Sequence, residues 1–344
     1  MDDSATTPSR KTDHIRINLE KDVSSDLTTG LERIKFVHQA LPELNLTEIN
    51  LEQKLFGKML TAPILISSMT GGTEQARQIN LILAQAAQAE GIALGLGSQR
   101  AGLEHEELVA SYQVRKAAPD ILLFGNLGAV QLNYQYSSDD CQRAVDQVDA
   151  DGLFLHLNSL QEAIQPEGNT RFKGLLKKIE QVCRKLTVPV IVKEVGWGIS
   201  ENAARLLASA GVAAIDASGA GGTSWSQVEM YRISDNIQAQ IASSFRDWGI
   251  PTAESIRNIK KAVPGMTIFA SGGLRNGVDI AKCLAIGADI GGMASPFLHA
   301  AAISLEETIR LIKAYKKEIQ ICMFATASAS LSDLRNAAYF EKES

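Results

Sequence analysis

Asp151-Gly-Leu-Phe-Leu-His-Leu-Asn-Ser-Leu-Gln-Glu162 joins an uninterrupted apolar run to a knot of polar side chains. The run does not alternate, which is what a strand buried on both faces of a parallel sheet requires. Where it ends, His156, Asn158, Gln161 and Glu162 put an imidazole, two amides and a carboxylate close together. Taken alone, they read as polar caps on a strand end. The flanking sequence decides between that reading and a site.

The same beat recurs on both sides. Short apolar runs stand at Pro63–Ser67, Ile92–Leu96, Ile121–Gly125, Gly152–Leu157, Pro189–Lys193, Ala213–Ala217, Thr267–Ser271 and Asp289–Met293. Between them lie segments of helical period at Gln75–Glu90, Cys141–Val148, Phe172–Leu186, Glu201–Ala210, Ala253–Ala262 and Gly277–Ile286. Eight strand–helix units in one series predict an α/β fold, a (β/α)8 TIM barrel. A doubly wound sheet would place its glycine fingerprint after the first strand. Here glycine-rich turns follow many strands, on the face where barrels do chemistry.

Around this barrel, residues 1–60 read as an N-terminal extension with a hairpin near Glu48–Leu60, residues 61–326 as the barrel, and residues 327–344 as a polar tail. The connection after the sixth strand, residues 218–252, is long enough for a lid, a binding loop or an oligomer contact. Arg10-Lys-Thr-Asp-His14 is a basic cluster that reads either as a solvated tail or as a cover over a polyanionic ligand.

Composition bounds the rest. With 45% hydrophobic and 21% charged residues the chain has an ample core, and a net charge of −5 argues against a nucleic-acid binder. The N-terminus leads into no apolar signal region, and no run is long enough to span a bilayer. Cys141, Cys183, Cys283 and Cys322 lack metal spacing and read as reduced thiols of a cytoplasmic protein.

Gly272-Gly273 after the seventh strand and Ala294-Ser-Pro-Phe297 after the eighth match the phosphate cradle of such barrels, made of loop amides and a helix N-terminus. A phosphorylated substrate or flavin mononucleotide would fit it. Ser68, Met69, Thr70, Ser98 and Asn126 offer amide and backbone partners to a flat heterocycle, and Lys193 offers a cation to a reduced flavin ring. Lys193 also reads as a Schiff-base lysine, or as a charge paired with Glu194.

Arg10-Lys11 with His14, Ser68-Met-Thr-Gly-Gly72, Gly97-Ser-Gln-Arg100, His156-Leu-Asn-Ser-Leu-Gln-Glu162, Lys193-Glu-Val-Gly196, Gly219-Ala-Gly-Gly-Thr-Ser-Trp225 and Ser271-Gly-Gly-Leu-Arg275 together resemble the type 2 isopentenyl-diphosphate isomerases. The match keeps the family's order from Arg10 to about Pro296, and no motif position departs from the pattern. The resemblance implies that Ser68, Met69, Thr70, Ser98, Asn126, Lys193, Ser218, Thr223, Gly272, Gly273, Leu274, Ala294 and Ser295 hold FMN. It implies that Arg10, Lys11, Gln99, Arg100, His156, Asn158 and Gln161 meet the substrate, with Gln161, His156 and Lys193 closest to the chemistry. Glu162 would hold a Mg2+ ion bridging to the diphosphate.

The implied activity is a 1,3-allylic proton shift between isopentenyl and dimethylallyl diphosphate in isoprenoid biosynthesis, with reduced FMN as acid and base. NADPH or NADH would prime it. The implied assembly is a homo-oligomer, a tetramer or octamer, with no nucleic-acid or membrane partner. A hydroxy-acid oxidase on the same barrel would want a His near the seventh strand, and Pro264–Ser271 has none. A nucleotide dehydrogenase would want a cysteine in a mouth loop, which is equally missing from the glycine-rich turns. A non-catalytic flavin-binding barrel would have no reason to gather Arg10, Lys11, His156, Asn158, Gln161 and Glu162.

Overall fold

A computed structural model describes residues 6–342, and of residues 6–10 and Thr12 the backbone alone. Ahead of the barrel come α1 (Thr6–Glu20), β1 (Ile34–Phe36), β2 (Gln53–Leu55) and β3 (Lys58–Leu60). The barrel then runs β4 (Ile64–Ile66), α2 (Glu74–Glu90), β5 (Ala93–Gly95), α3 (Arg100–Glu104), β6 (Leu123–Gly128), α4 (Ser138–Val148), β7 (Gly152–His156), α5 (Ser159–Ile164), α6 (Leu175–Lys185) and β8 (Val190–Lys193). It continues through α7 (Glu201–Ser209), β9 (Ala214–Asp216), α8 (Trp225–Arg232), α9 (Asn236–Ser243), α10 (Thr252–Ala262), β10 (Thr267–Ala270), α11 (Gly277–Ile286), β11 (Ile290–Met293) and α12 (Ser295–Ile303). The chain ends with α13 (Leu305–Ala325), α14 (Leu331–Arg335) and β12 (Tyr339–Glu341).

All eight apolar runs become strands, and β4 to β11 close a parallel barrel in which β11 pairs with β4. Several helices start where the sequence supplies a cap. Thr73 accepts the Ala76 N–H at the head of α2, and Ser137 and Asp140 form a capping box on α4. Register sets the site: Gly128 lies opposite His156, His156 opposite Lys193, and Lys193 opposite Asp216. An imidazole, an ammonium and a carboxylate therefore stand at one level of the barrel.

The barrel is a packed core, not a pore. Phe124, Phe154 and Phe269 fill it with ring centroids 4.8 to 5.9 Å apart, alongside Leu65, Ile191 and Ile290. The β2–β3 hairpin plugs one end. Its turn residues Phe56 and Gly57 both have positive φ, 45° and 84°, which suits a tight hairpin and sends the Phe56 ring against Phe124 and Phe269. Phe124→Ala empties the centre of this cluster, and the expected cost is about 3–5 kcal/mol, read as a lower urea midpoint of the flavin-loaded protein.

Three segments depart from what their residue pattern suggests. Ile15-Arg-Ile-Asn-Leu19 alternates apolar and polar residues as a strand would, yet it lies in α1, with Ile15 and Ile17 buried on different sides of that helix. Ile15 joins the main core, whereas Ile17 packs with Val23, Val228 and Trp225. Residues 327–342, expected as a polar tail, instead carry α14, which buries Leu331 and Leu334, and β12, which pairs antiparallel with β1. The long connection after β9 folds into α8 and α9 and is stitched to the N-terminal segment by Ser25 N–H to Gly222 C=O and Ser224 N–H to Val23 C=O, both 2.8 Å. The extension thus lies across the barrel mouth.

Candidate active site

The carboxyl ends of the strands and the segments folded over them enclose a cavity of about 550 Å³. Ser68, Met69 and Thr70 enter it after β4, Ser98 after β5, Asn126 from β6, Lys193 from β8, and Ser218 and Thr223 after β9. Gly272, Gly273 and Leu274 enter after β10, and Ala294 and Ser295 at the head of α12. Every residue expected to meet the flavin faces this one space.

The cradle explains its glycines. Gly272 has φ 103°, and a Cβ on it would lie 2.1 Å from the Gly219 carbonyl oxygen, so only glycine lets the turns after β9 and β10 interlock. Ser218 beside it holds φ 37° without being glycine, a strained backbone where a ligand would sit. No side chain caps the head of α12, and Pro296 sits in its first turn, so its leading N–H groups are available to an anion. The hydroxyls of Ser67 and Ser68 are buried with no hydrogen-bond partner. Orphaned donors in a cavity wall suit a bound ligand. The residues present fit a planar heterocycle with a phosphate tail.

The opposite wall carries the polar knot. Asn126 Nδ2 donates to the Leu96 carbonyl at 3.0 Å, which turns its Oδ1 to His156 Nδ1 at 2.9 Å. This assignment makes Nδ1 the donor, so His156 can donate through Nε2 only as an imidazolium. Asn158 Nδ2 reaches Gln161 Oε1 at 3.2 Å and Glu162 Oε1 at 2.9 Å, and Glu162 Oε2 accepts the Asn169 N–H. Asn158 Oδ1 is buried without a partner. Lys11 Nζ donates to the Ser98 carbonyl at 2.8 Å and to Tyr112 Oη at 2.6 Å, and Arg100 Nε meets Glu104 at 2.8 Å. Both cations line the cavity.

One expectation is corrected. Gln99 does not line the cavity; its Nε2 donates to the Ala144 carbonyl at 2.7 Å and its Oε1 accepts the Asn126 N–H at 2.9 Å. Gln99 stands at the head of α3 with φ −83° and ψ 8°, not on a strand, and its carboxamide is taken up by α4 and β6 while Ser98 and Arg100 line the cavity. Arg10 has its backbone in α1, and its side chain lies outside the described residues.

The sequence reading missed Glu229. It is wholly buried on α8, and its Oε1 accepts Gln161 Nε2 at 2.8 Å, with His14 Nε2 at 3.3 Å. Gln165 Nε2 also donates to it, and Arg232 pairs with Oε2. His14 further packs edge-on against Trp225, ring centroids 5.1 Å apart. The available signal was helical spacing: Trp225 and Glu229 stand four apart after the quoted glycine-rich turn, as do Gln161 and Gln165.

Charge at the barrel level is arranged around Lys193. Burial pushes its ammonium below the ordinary lysine range, against the attraction of Asp216 and Glu194. Burial also raises the Asp216 carboxyl, opposed by Lys193 and by hydrogen bonds from Ser271 and Ser218. Burial pushes Glu194 up to about 7, against the Trp197, Gly196 and Val195 N–H groups that converge on its Oε2. The cysteines are unpaired and lie off the cavity, and burial pushes the thiols of Cys183 and Cys322 up to about 11. They make poor nucleophiles. Among the described residues no three or more His, Cys, Asp or Glu side chains form a metal cage, and no helix is long and apolar enough to cross a membrane.

A comparison with known families matches residues 130–341 to the family described as FMN-dependent dehydrogenase. The chain is 50% identical to the isopentenyl-diphosphate delta-isomerase of a Nostoc species, covering 99% of this chain and 97% of that protein. It is 51% identical to the Synechocystis protein of the same name, over 98% and 97%, and 49% identical to that of Rickettsia bellii, over 95% and 96%. Among solved structures, mandelate oxidase with (S)-2-phenylpropionate superposes with a TM-score of 0.67 over 99% of both chains at 19% identity, which is likeness of fold alone.

Proposed function

This chain belongs to the isopentenyl-diphosphate delta-isomerases, within the FMN-dependent dehydrogenase family, and from that premise we propose how its own residues carry the reaction. It is a flavoenzyme that interconverts isopentenyl and dimethylallyl diphosphate. The observation that supports the residue-level reading is the single cavity in which the glycine cradle faces His156, Asn158, Gln161 and Glu162.

In our reading the turns after β9 and β10 and the head of α12 would hold the FMN phosphate, and Ser68, Met69, Thr70, Ser98 and Asn126 the ring system. Lys193 would face the ring and, as a desolvated ammonium at low local dielectric, would favour negative charge on it. Reduced flavin, when bound, supplies the acid and base of the proton shift. The side chains bind and orient. A diphosphate needs concentrated cations in an acidic protein, and Lys11, Arg100 and Arg10 provide them, with His156 as an imidazolium donor through Nε2.

Glu162 suits a magnesium ion. Mg2+ commonly takes one or two carboxylates and keeps waters for the rest of its shell, and each Glu162 oxygen still has a lone pair beyond its internal hydrogen bond. The orphaned Asn158 Oδ1 next to it can accept from such a water. Gln161 is a carboxamide and does not titrate usefully, so it orients the alkene end or relays a proton.

Substrate and product are isomers, so no electrons are consumed per turnover, and NADPH or NADH serves only to prime the enzyme. We place the protein in the cytoplasm as a tetramer or octamer; its unpaired cysteines and the exposed Ile237, Ile241 and Trp248 support those two readings. The test is anaerobic turnover of isopentenyl diphosphate with FMN, Mg2+ and excess NADPH, measuring dimethylallyl diphosphate formed and NADPH oxidised. Many products per NADPH are expected; one per NADPH, or no allylic product, sinks the reading.

A further inference from the structure

Glu229 has no part in the binding roles above, yet three segments converge on it. Gln161 and Gln165 come from α5 and its C-terminal end, His14 from α1, and Arg232 from the next turn of α8. Arg232 Nη2 continues to Glu167 Oε1 at 3.1 Å. An ionised carboxylate only accepts hydrogen bonds, so both carboxamides must turn an N–H toward it. Gln165 shows the cost of that demand: its Oε1 is buried with no partner, an arrangement that disfavours this orientation unless the acceptor opposite dictates it. Gln161 is held the same way round, with Oε1 on Asn158 Nδ2.

Burial by itself would neutralise Glu229, and the fixed positive charge touching it is Arg232. We propose that Arg232 is a positioning residue for the isomerisation: it keeps Glu229 a carboxylate, and Glu229 thereby presents the Gln161 carboxamide to the substrate in one orientation only. This rests on the reading that Gln161 meets the reacting end of the substrate. The electrostatics agree, since burial works against the charge while the His14 hydrogen bond and the charges of His14 and Arg232 hold the Glu229 carboxyl down to about 2. The other groups in reach are few. Glu167 lies behind Arg232, and Glu162 stands two hydrogen bonds beyond Gln161, both donated by Asn158 Nδ2. Helix α9, which packs on α8, contains no titratable side chain.

The test compares wild type, R232M, R232K and Q161A, each loaded with FMN, by flavin content and by kcat and KM for isopentenyl diphosphate across pH. Without Arg232 the Glu229 pKa rises, so activity is lost at a higher pH as the medium is acidified. R232M is expected to lower kcat about tenfold or more with KM within about threefold, and to move the acid limb up by about one pH unit or more. R232K keeps the charge and returns the limb to its wild-type position. Wild-type kcat and acid limb in R232M overturn the proposal. If R232M does not retain flavin, R232K decides: an unmoved limb with kcat largely kept supports it, and kcat lost with an unmoved limb overturns it. Turnover surviving in Q161A would refute the underlying reading; turnover lost in Q161A but kept in R232M refutes only the role of Arg232.

Discussion

Replacing Gln161 with alanine is expected to lower kcat by about 10²-fold, the scale on which loss of positioning at the reacting centre costs rate. The expectation follows from how tightly the side chain is held. Its Nε2 is fixed on Glu229 and its Oε1 on Asn158, so the carboxamide has one orientation and little freedom to lose when substrate arrives. Alanine removes that group but leaves Glu229 with Gln165, His14 and Arg232. The fold and flavin content should therefore persist, and KM should move far less than kcat. A Q161A enzyme with more than a third of wild-type turnover at saturating substrate would remove Gln161 from the mechanism.

Gly272→Ala is expected to abolish flavin retention and to destabilise the protein by about 3 kcal/mol or more. Two penalties add at this position. The backbone sits at φ 103°, strained for any residue with a Cβ, and the new Cβ would lie 2.1 Å from the Gly219 oxygen and 2.5 Å from its nitrogen. Neither contact is with a flexible side-chain end, so the turns after β9 and β10 must separate, and the phosphate cradle with them. Gly265 provides the control. Its φ is 87° but a Cβ there meets nothing within 4 Å, so Gly265→Ala should cost only about 1 kcal/mol and keep the flavin. Bound FMN measured by absorbance after gel filtration, together with the thermal midpoint, separates the two. A G272A protein that holds flavin as wild type does would show that the cradle lies elsewhere.

Much of this molecule could be read along the chain. Each barrel strand stands within a few residues of its apolar run, and α2, α7, α10 and α11 fall on their periodic segments. Burial on both faces writes itself into sequence as unbroken apolar runs, and such runs between amphipathic helices leave few architectures. The knot at His156 to Glu162 was legible for a related reason, since strand ends place consecutive polar residues at one mouth.

Other parts were not legible. Helix α1 is buried on two sides, so Ile15 and Ile17 imitate a strand's alternation. Gln99 stands between two mouth residues and yet points away from them. Glu229 lies 68 residues from Gln161, and no local pattern marks it as that side chain's anchor. The sequence by itself determined the barrel, its mouth and the family, because periodicity, turn chemistry and motif order are properties of neighbouring residues. The tertiary structure alone decided that α1 and α8 close over that mouth and that Glu229 and Arg232 stand behind Gln161, because which distant side chains share a buried hydrogen bond is settled only when their elements pack.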